Sequence, residues 1–145
     1  GLDQWQDGYP SEEVILGDIR KGESRIWEEE GKILGTAMLS FRGESDYDRI
    51  YDGEWKLGEV SYATIHRIAV LSADRRRGTA GKLLKAMEEE IRKNGFSVIR
   101  MDTHRDNVPM RTWLGSHGFL HCGTIFLGRT EETRLAFEKS LSGEK

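Results

Sequence analysis

The sequence predicts a single α/β domain over residues 1–145, a mixed sheet with helices packed on its faces. Two observations carry this. The apolar segments follow the order helix, hairpin, strand, helix, strand, helix, hairpin. The apolar run Thr64–Val70, the amphipathic run Ala80–Lys93 and the run Ser97–Asp102 also make a strand–helix–strand unit, which closes as a right-handed parallel crossover. A chain of 145 residues is long enough to bury a core.

Taken in order, Ser11 is an N-cap, Glu12 and Glu13 fill a first helical turn, and Val14, Ile15, Leu16 and Ile19 supply apolar content before Gly22 ends the helix. Pro10 marks a turn ahead of it. Ser24–Glu29 and Lys32–Phe41 read as a strand pair turning at Glu30-Gly31. Arg42–Glu59 is polar and acidic, with glycines along it, and reads as a solvated loop with a local turn of helix. In the strand Tyr62–Leu71, period two puts Thr64, His66, Ile68 and Val70 on one face. Ile65, Arg67, Ala69 and Leu71 take the other, where Arg67 reads as a surface or ion-paired group.

The next helix carries Ala80, Leu83, Leu84, Met87 and Ile91 as one apolar stripe. Glu88 with Arg92, and Glu89 with Lys93, are placed as i,i+4 pairs on its solvent side, and Asn94-Gly95 ends it. Asn107 caps a short helix from Val108 to about His117 that tolerates Pro109 in its first turn. Phe119–Leu127 and Thr133–Lys139 form the closing hairpin.

Bulk properties narrow the function. Charged residues are 32% and hydrophobic ones 37%, a globular balance. A net charge of −3 argues against a general nucleic-acid binder. The lone Cys122 excludes an intrachain disulfide and fits a reducing compartment such as the cytoplasm. It reads as an inert buried thiol. No apolar run has the length of a membrane span, and Gly1–Trp5 does not resemble a signal peptide. Four histidines without ligand spacing predict no metal.

The most telling segment is Arg75-Arg76-Arg77-Gly78-Thr79-Ala80-Gly81, between a strand and a helix start. N–H groups in a first helical turn lack intrahelical acceptors and the helix dipole favours an anion there. Glycine permits close approach, and arginine donors suit phosphate. A solvated basic turn is the plainer alternative; the glycine pattern and the following helix favour a phosphate or pyrophosphate seat. A P-loop is excluded, because Gly78 and Gly81 are too close together and Leu83 follows Lys82 where a hydroxyl is needed.

These residues resemble the GNAT superfamily of acyl-CoA-dependent N-acetyltransferases, of the small bacterial-domain type. The resemblance rests on Ile68-Ala69-Val70 followed by Arg75-x-x-Gly78-x-Ala80 and Gly81-Lys82-Leu83-Leu84, and on Asn107 leading to Gly118-Phe119. It implies a mostly antiparallel sheet splayed at the central parallel pair, with acetyl-CoA as cofactor. It also implies that Ile68, Ala69 and Val70 pair with the pantetheine arm like an added strand. Arg75, Arg76, Arg77, Gly78, Thr79, Ala80 and Gly81 then cradle the pyrophosphate, and Asn107 contacts the arm. The family's usual first strand and helix precede the first segment seen here, so the resemblance makes Ser24–Glu29 a sheet edge, which invites homodimer pairing. Many members carry a tyrosine where Leu114 stands and a glutamate where Thr64 stands.

Acetyl transfer to an amine needs a group that takes a proton. His66 has that chemistry, since imidazole titrates near neutrality, and the competing reading is a buried structural histidine. Thr64 shares its face. Asp102 and His104 end the neighbouring strand, where either could hold an ammonium group; for Asp102 and Asp106 the plainer reading is turn and cap chemistry. Trp5, Tyr9, Trp27 and Tyr62 are candidate walls of an acceptor pocket, with core packing or loop anchoring as the alternative. The function expected is N-acetylation of a primary amine of a small molecule or peptide by direct attack in a ternary complex. The alternative is a non-catalytic domain that binds or senses acyl-CoA.

Overall fold

The computed structural model describes residues 12–71 and 78–142. The arginines Arg75, Arg76 and Arg77, the aromatics Trp5 and Tyr9, and the cap Ser11 lie outside them. The elements are α1 (Glu12–Arg20), β1 (Ser24–Glu29), β2 (Lys32–Ser40), a 3-10 turn (Ser45–Asp48) and β3 (Ala63–Val70). They continue with α2 (Thr79–Lys93), β4 (Val98–Thr103), α3 (Val108–Ser116), β5 (Leu120–Phe126) and β6 (Thr133–Ser140). The six strands lie in the order β1-β2-β3-β4-β6-β5. Every neighbouring pair is antiparallel except β3 with β4. Among the described residues, β1 is one edge of the sheet.

The central pair parts almost at once. β3 meets β4 only at Ala63↔Ile99 and Thr64↔Arg100. A bulge follows: Thr36 pairs with Ala69 and Met38 with His66, so Ala37 faces two residues of β3. Arg67 holds the extra position at φ 57°, a left-handed conformation for a non-glycine residue. The extra residue reverses the strand's phase. Ile65 and Ile68 therefore both join the core formed with Leu83, Leu84 and Met87. Strict alternation places Ile68 beside His66; the bulge puts them on opposite faces. Arg67 itself is ion-paired, its Nη2 lying 2.6 Å from Asp18 of α1.

The α face is closed by α2 and α3. Leu83, Leu84, Met87 and Ile91 of α2 and Met110 and Leu114 of α3 are buried against Ala63, Ile65, Ile99 and Phe137. Glu88 departs from its expected place on the solvent side. It is buried, and its carboxylate accepts Lys139 Nζ at 2.7 Å. A buried carboxylate needs such a partner.

The opposite face is closed by the 42–62 arm. Most of its charged residues are exposed, as expected of a solvated loop, but the arm is anchored. Tyr47 is only 2% exposed and clusters with Ile125, Ala136, Trp55 and Tyr62. Tyr51 exchanges two 2.8 Å backbone hydrogen bonds with Thr124 of β5. That contact requires Gly53, where an added Cβ would lie 2.0 Å from the Cys122 carbonyl oxygen.

Candidate active site

Where β3 and β4 part, a cleft of ≈ 860 Å³ opens through the sheet. His66, Asp102 and Glu44 line it on the arm side; Ile65, Ile68 and Met110, core residues of the α face, also border it. The size lies within the range of small-molecule sites.

His66 sits between two carboxylates. Its Nε2 is 3.8 Å from Glu44 Oε2 and its Nδ1 is 4.0 Å from Asp102 Oδ2. Nε2 is buried and has no hydrogen-bond partner among the described residues. Interaction with the His66 ring holds the Glu44 carboxyl below its ordinary range, against the opposing effect of burial. Asp102 is fixed from behind, because the Tyr47 hydroxyl donates to its Oδ2 at 2.6 Å. Burial, followed by the charge of Asp102, pushes the Tyr47 phenol well above its ordinary value, so it remains a donor.

The arm that brings Glu44 and Tyr47 is itself tied down by a buried ion pair. Arg100 Nε donates to Glu138 Oε2 at 2.8 Å and its Nη2 donates to the Gly58 carbonyl at 2.7 Å. The guanidinium lies between the rings of Trp55 and Tyr62, 4.5 and 4.7 Å from their centroids. Glu138 Oε1 accepts the backbone N–H groups of Lys56 and Leu57. Both carboxylate oxygens and the guanidinium are thus answered, the condition under which buried charge is tolerated. Burial raises the neighbouring Cys122 thiol above its ordinary value, which disfavours the reactive thiolate.

On the α side, α2 starts at Gly78, whose φ of 75° is left-handed and whose position carries no side-chain cap. The first N–H groups of the helix are therefore free of the usual capping oxygen. An added Cβ on Gly78 would meet nothing within 4 Å among the described residues. From Ile65 onward, the β3 edge toward β4 has no ladder partner among the described residues, so its backbone can take an extended ligand as an added strand. Both features fit a long carrier with an anionic end, such as acetyl-CoA.

The structure brings His66, Ile68, Asp102, His104 and Asn107 to the cleft. Thr64 is buried at the last β3–β4 rung, outside the lining. Ala69 and Val70 continue β3 past the bulge. Thr79, Ala80 and Gly81 form the first turn of α2. An added Cβ at Gly81 would lie 3.2 Å from His117 Nε2, so this glycine also lets α2 and α3 approach closely.

Asn107 caps α3, its Oδ1 accepting Met110 N at 3.1 Å. His104 Nδ1 accepts the Asp106 N–H, which is turn chemistry. Asp102 is not the turn group that the sequence suggested, since it faces His66 from within β4. Trp27 packs on the core from β1, its Nε1 donating to Glu29 Oε2, and Tyr62 anchors the arm through Glu44 and Arg100; neither lines the cleft. Sequence reasoning passed over Glu44 and Tyr47 as individuals. They sit in a loop without periodicity, and the partner of Tyr47 is 55 residues away.

The chain matches the acetyltransferase (GNAT) family model over residues 2–119. Among solved structures it is similar to a GNAT-family acetyltransferase from Streptococcus agalactiae, with 34% identity over 95% of this chain and 78% of that one, at a TM-score of 0.82. Two more distant structures share the fold. One is a ribosomal-protein-alanine N-acetyltransferase from Brucella melitensis (22% identity, 89% of this chain and 75% of that one, TM-score 0.61). The other is a GNAT-family acetyltransferase from Elizabethkingia anophelis with acetyl-CoA bound (18% identity, 92% of this chain and 85% of that one, TM-score 0.65). No curated protein matches the chain. The fold is that of the GNAT acetyltransferases, and the chain belongs to that family.

Proposed function

We propose that this protein transfers an acetyl group from acetyl-CoA to a primary amine of a small molecule or peptide, with His66 as the general base. The observation that carries the reading is the His66 ring at the cleft, Nε2 buried without a partner and a carboxylate facing each ring nitrogen. Bound acetyl-CoA supplies an acyl group activated as a thioester. The acetyl-CoA-bound protein of the same fold supports that carrier, and the alanine-acetylating one supports including peptides among acceptors.

The residues divide the work as follows. The exposed edge of β3 and the first turn of α2 hold the carrier, with Gly78 admitting its anionic end. Glu44 and Asp102 attract the acceptor as an ammonium ion at the arm side of the cleft. His66 takes the proton, which frees the nitrogen lone pair for attack. The same two carboxylates then stabilise the positive charge that develops on the ring. Tyr47 keeps Asp102 aimed at Nδ1.

A thiol-release assay with acetyl-CoA and a panel of amines and peptides tests this. Release above background should fall about 10²–10⁴-fold in His66→Ala, with coenzyme A affinity retained. The wild-type pH–rate profile should carry a rising limb that His66→Ala abolishes. The groups facing that ring are Glu44, Asp102 and Tyr47, with Arg42, Arg67 and His104 also at the cleft. Tight coenzyme A binding without turnover for any acceptor would favour the sensing domain.

A further inference from the structure

Among the described residues, the two buried side-chain polar atoms that lack a hydrogen-bond partner are His66 Nε2 and Thr103 Oγ1. Both residues line the same cleft. The proposed base accounts for the first. Nothing in the fold accounts for the second. Thr103 is 4% exposed, ends β4 and pairs with Leu135 of β6. It lies beyond the last β3–β4 rung, where the strands have separated. Period two aligns it with Ile99 and Met101, the β4 residues that pack against the helices. Its hydroxyl therefore belongs to the carrier's side of the cleft, whereas His66 belongs to the arm side. Ile65, Ile68 and Met110 line the same cleft, together with polar groups such as Asp102, His104, Asn107 and Arg134. Leu114 is fully buried in the core and offers no polar group.

We propose that Thr103 donates a hydrogen bond to the sulfur of the acyl carrier as the thioester is cleaved, an assignment that rests on the acetyl-transfer reading above. As the amine nitrogen bonds to the acyl carbon, the C–S bond breaks and its electron pair goes to sulfur. The ammonium proton has passed to His66. Thr103 keeps its own proton; the acylated nitrogen sheds its remaining extra proton to solvent as the amide forms, and the carrier leaves as a thiolate that takes a proton from solvent. A neutral thioester sulfur is a poor acceptor and a thiolate is a good one, so this bond strengthens along the reaction. The burial of Thr103 makes this bond count for more than it would in open solvent. The effect thus falls on kcat and not on carrier affinity.

The test uses the full chain carrying Thr103→Val or Thr103→Ser, with acetyl-CoA and the amine that the wild type turns over best. Thr103→Val should lower kcat about ten- to a hundredfold. The acceptor KM and the coenzyme A Kd should stay within twofold, and the pH profile should keep its shape. Thr103→Ser should restore most of the rate. The Tm of Thr103→Val should equal or exceed that of the wild type, because a methyl replaces an unpaired buried hydroxyl. A kcat within twofold of wild type in Thr103→Val overturns the assignment alone, as does a rate loss that tracks a lowered Tm or that serine does not restore. A wild type inactive with every acceptor overturns the assignment together with the transfer reading, and shows itself as inactivity in all three proteins.

Discussion

The two faces of this sheet are closed by different physics. The α face is sealed by an apolar stripe, with Leu83, Leu84, Met87 and Ile91 packed on Ile65, Ile68 and Ile99. The arm face is sealed by a buried ion pair between two aromatic rings, with a phenol and a carboxylate beside it. Apolar packing is non-directional and tolerates changes that conserve volume. A buried charge pair is directional and loses its compensation when one partner goes. The candidate base stands on the directional face, so a single structural network holds that side of the fold and aims the proposed catalytic groups.

The largest effect that separates the faces comes from Glu138→Ala. Removing it leaves Arg100 buried without its carboxylate and should cost about 3–5 kcal/mol in urea or thermal unfolding. Activity at temperatures where the variant is still folded should fall as well, because the arm carrying Glu44 and Tyr47 loses its anchor. Met87→Ala breaks the other face. It should cost about 2–5 kcal/mol through the cavity it leaves. In contrast to Glu138→Ala, the folded fraction should keep near-normal kcat. If both variants lose activity only in proportion to unfolding, the contrast between the faces fails.

A smaller and more selective effect is expected at the start of α2. Gly78→Asp sets a negative charge at the proposed anion seat and should weaken coenzyme A binding at least about tenfold by calorimetry. Gly78→Asn also accepts the left-handed backbone but stays neutral, so it should retain most of the affinity. Neither change should alter the pH dependence set on the arm face. Equal losses in the two variants would mean that backbone strain, and not charge, governs the seat.

The smallest effect concerns the bidentate pair Arg25–Glu90, which ties β1 to α2 at 2.8 and 2.7 Å. The Arg25 guanidinium holds the Glu90 carboxyl below its ordinary value. Its stabilisation is therefore complete above the ordinary glutamate range and disappears as pH falls through the lowered folded value. Arg25→Met should cost about 0.2–1 kcal/mol at neutral pH and close to nothing once Glu90 is protonated. Paired urea titrations at the two pH values measure it.

The same contrast explains what the sequence disclosed. Periods of 3.6 and 2.0 are local signals, so the helix stripe, the hairpins and the crossover could be read directly. The glycine loop and the Asn107 cap were legible because backbone geometry demands those residue types. Ile68 was assigned to the wrong face because a bulge carries no composition signal at Arg67. Glu88 was misplaced because its partner, Lys139, is 51 residues away. The arm face was illegible for the same reason: Arg100 and Glu138 are 38 residues apart, and neither resembles a core residue in isolation. His66 stood out as a candidate because imidazole chemistry narrows the choice, whereas Thr103 passed as one more strand threonine.

The bulge at Arg67 also has an evolutionary corollary. Losing one codon there would leave Ile65 and Ile68 on the side they already occupy, so the core would barely register the change. What would vanish is the bend that parts β3 from β4. The opening of the cleft is thus written in the count of residues along one strand more than in their identities. Lineages bearing this fold should accept substitutions at that spot far more readily than a deletion.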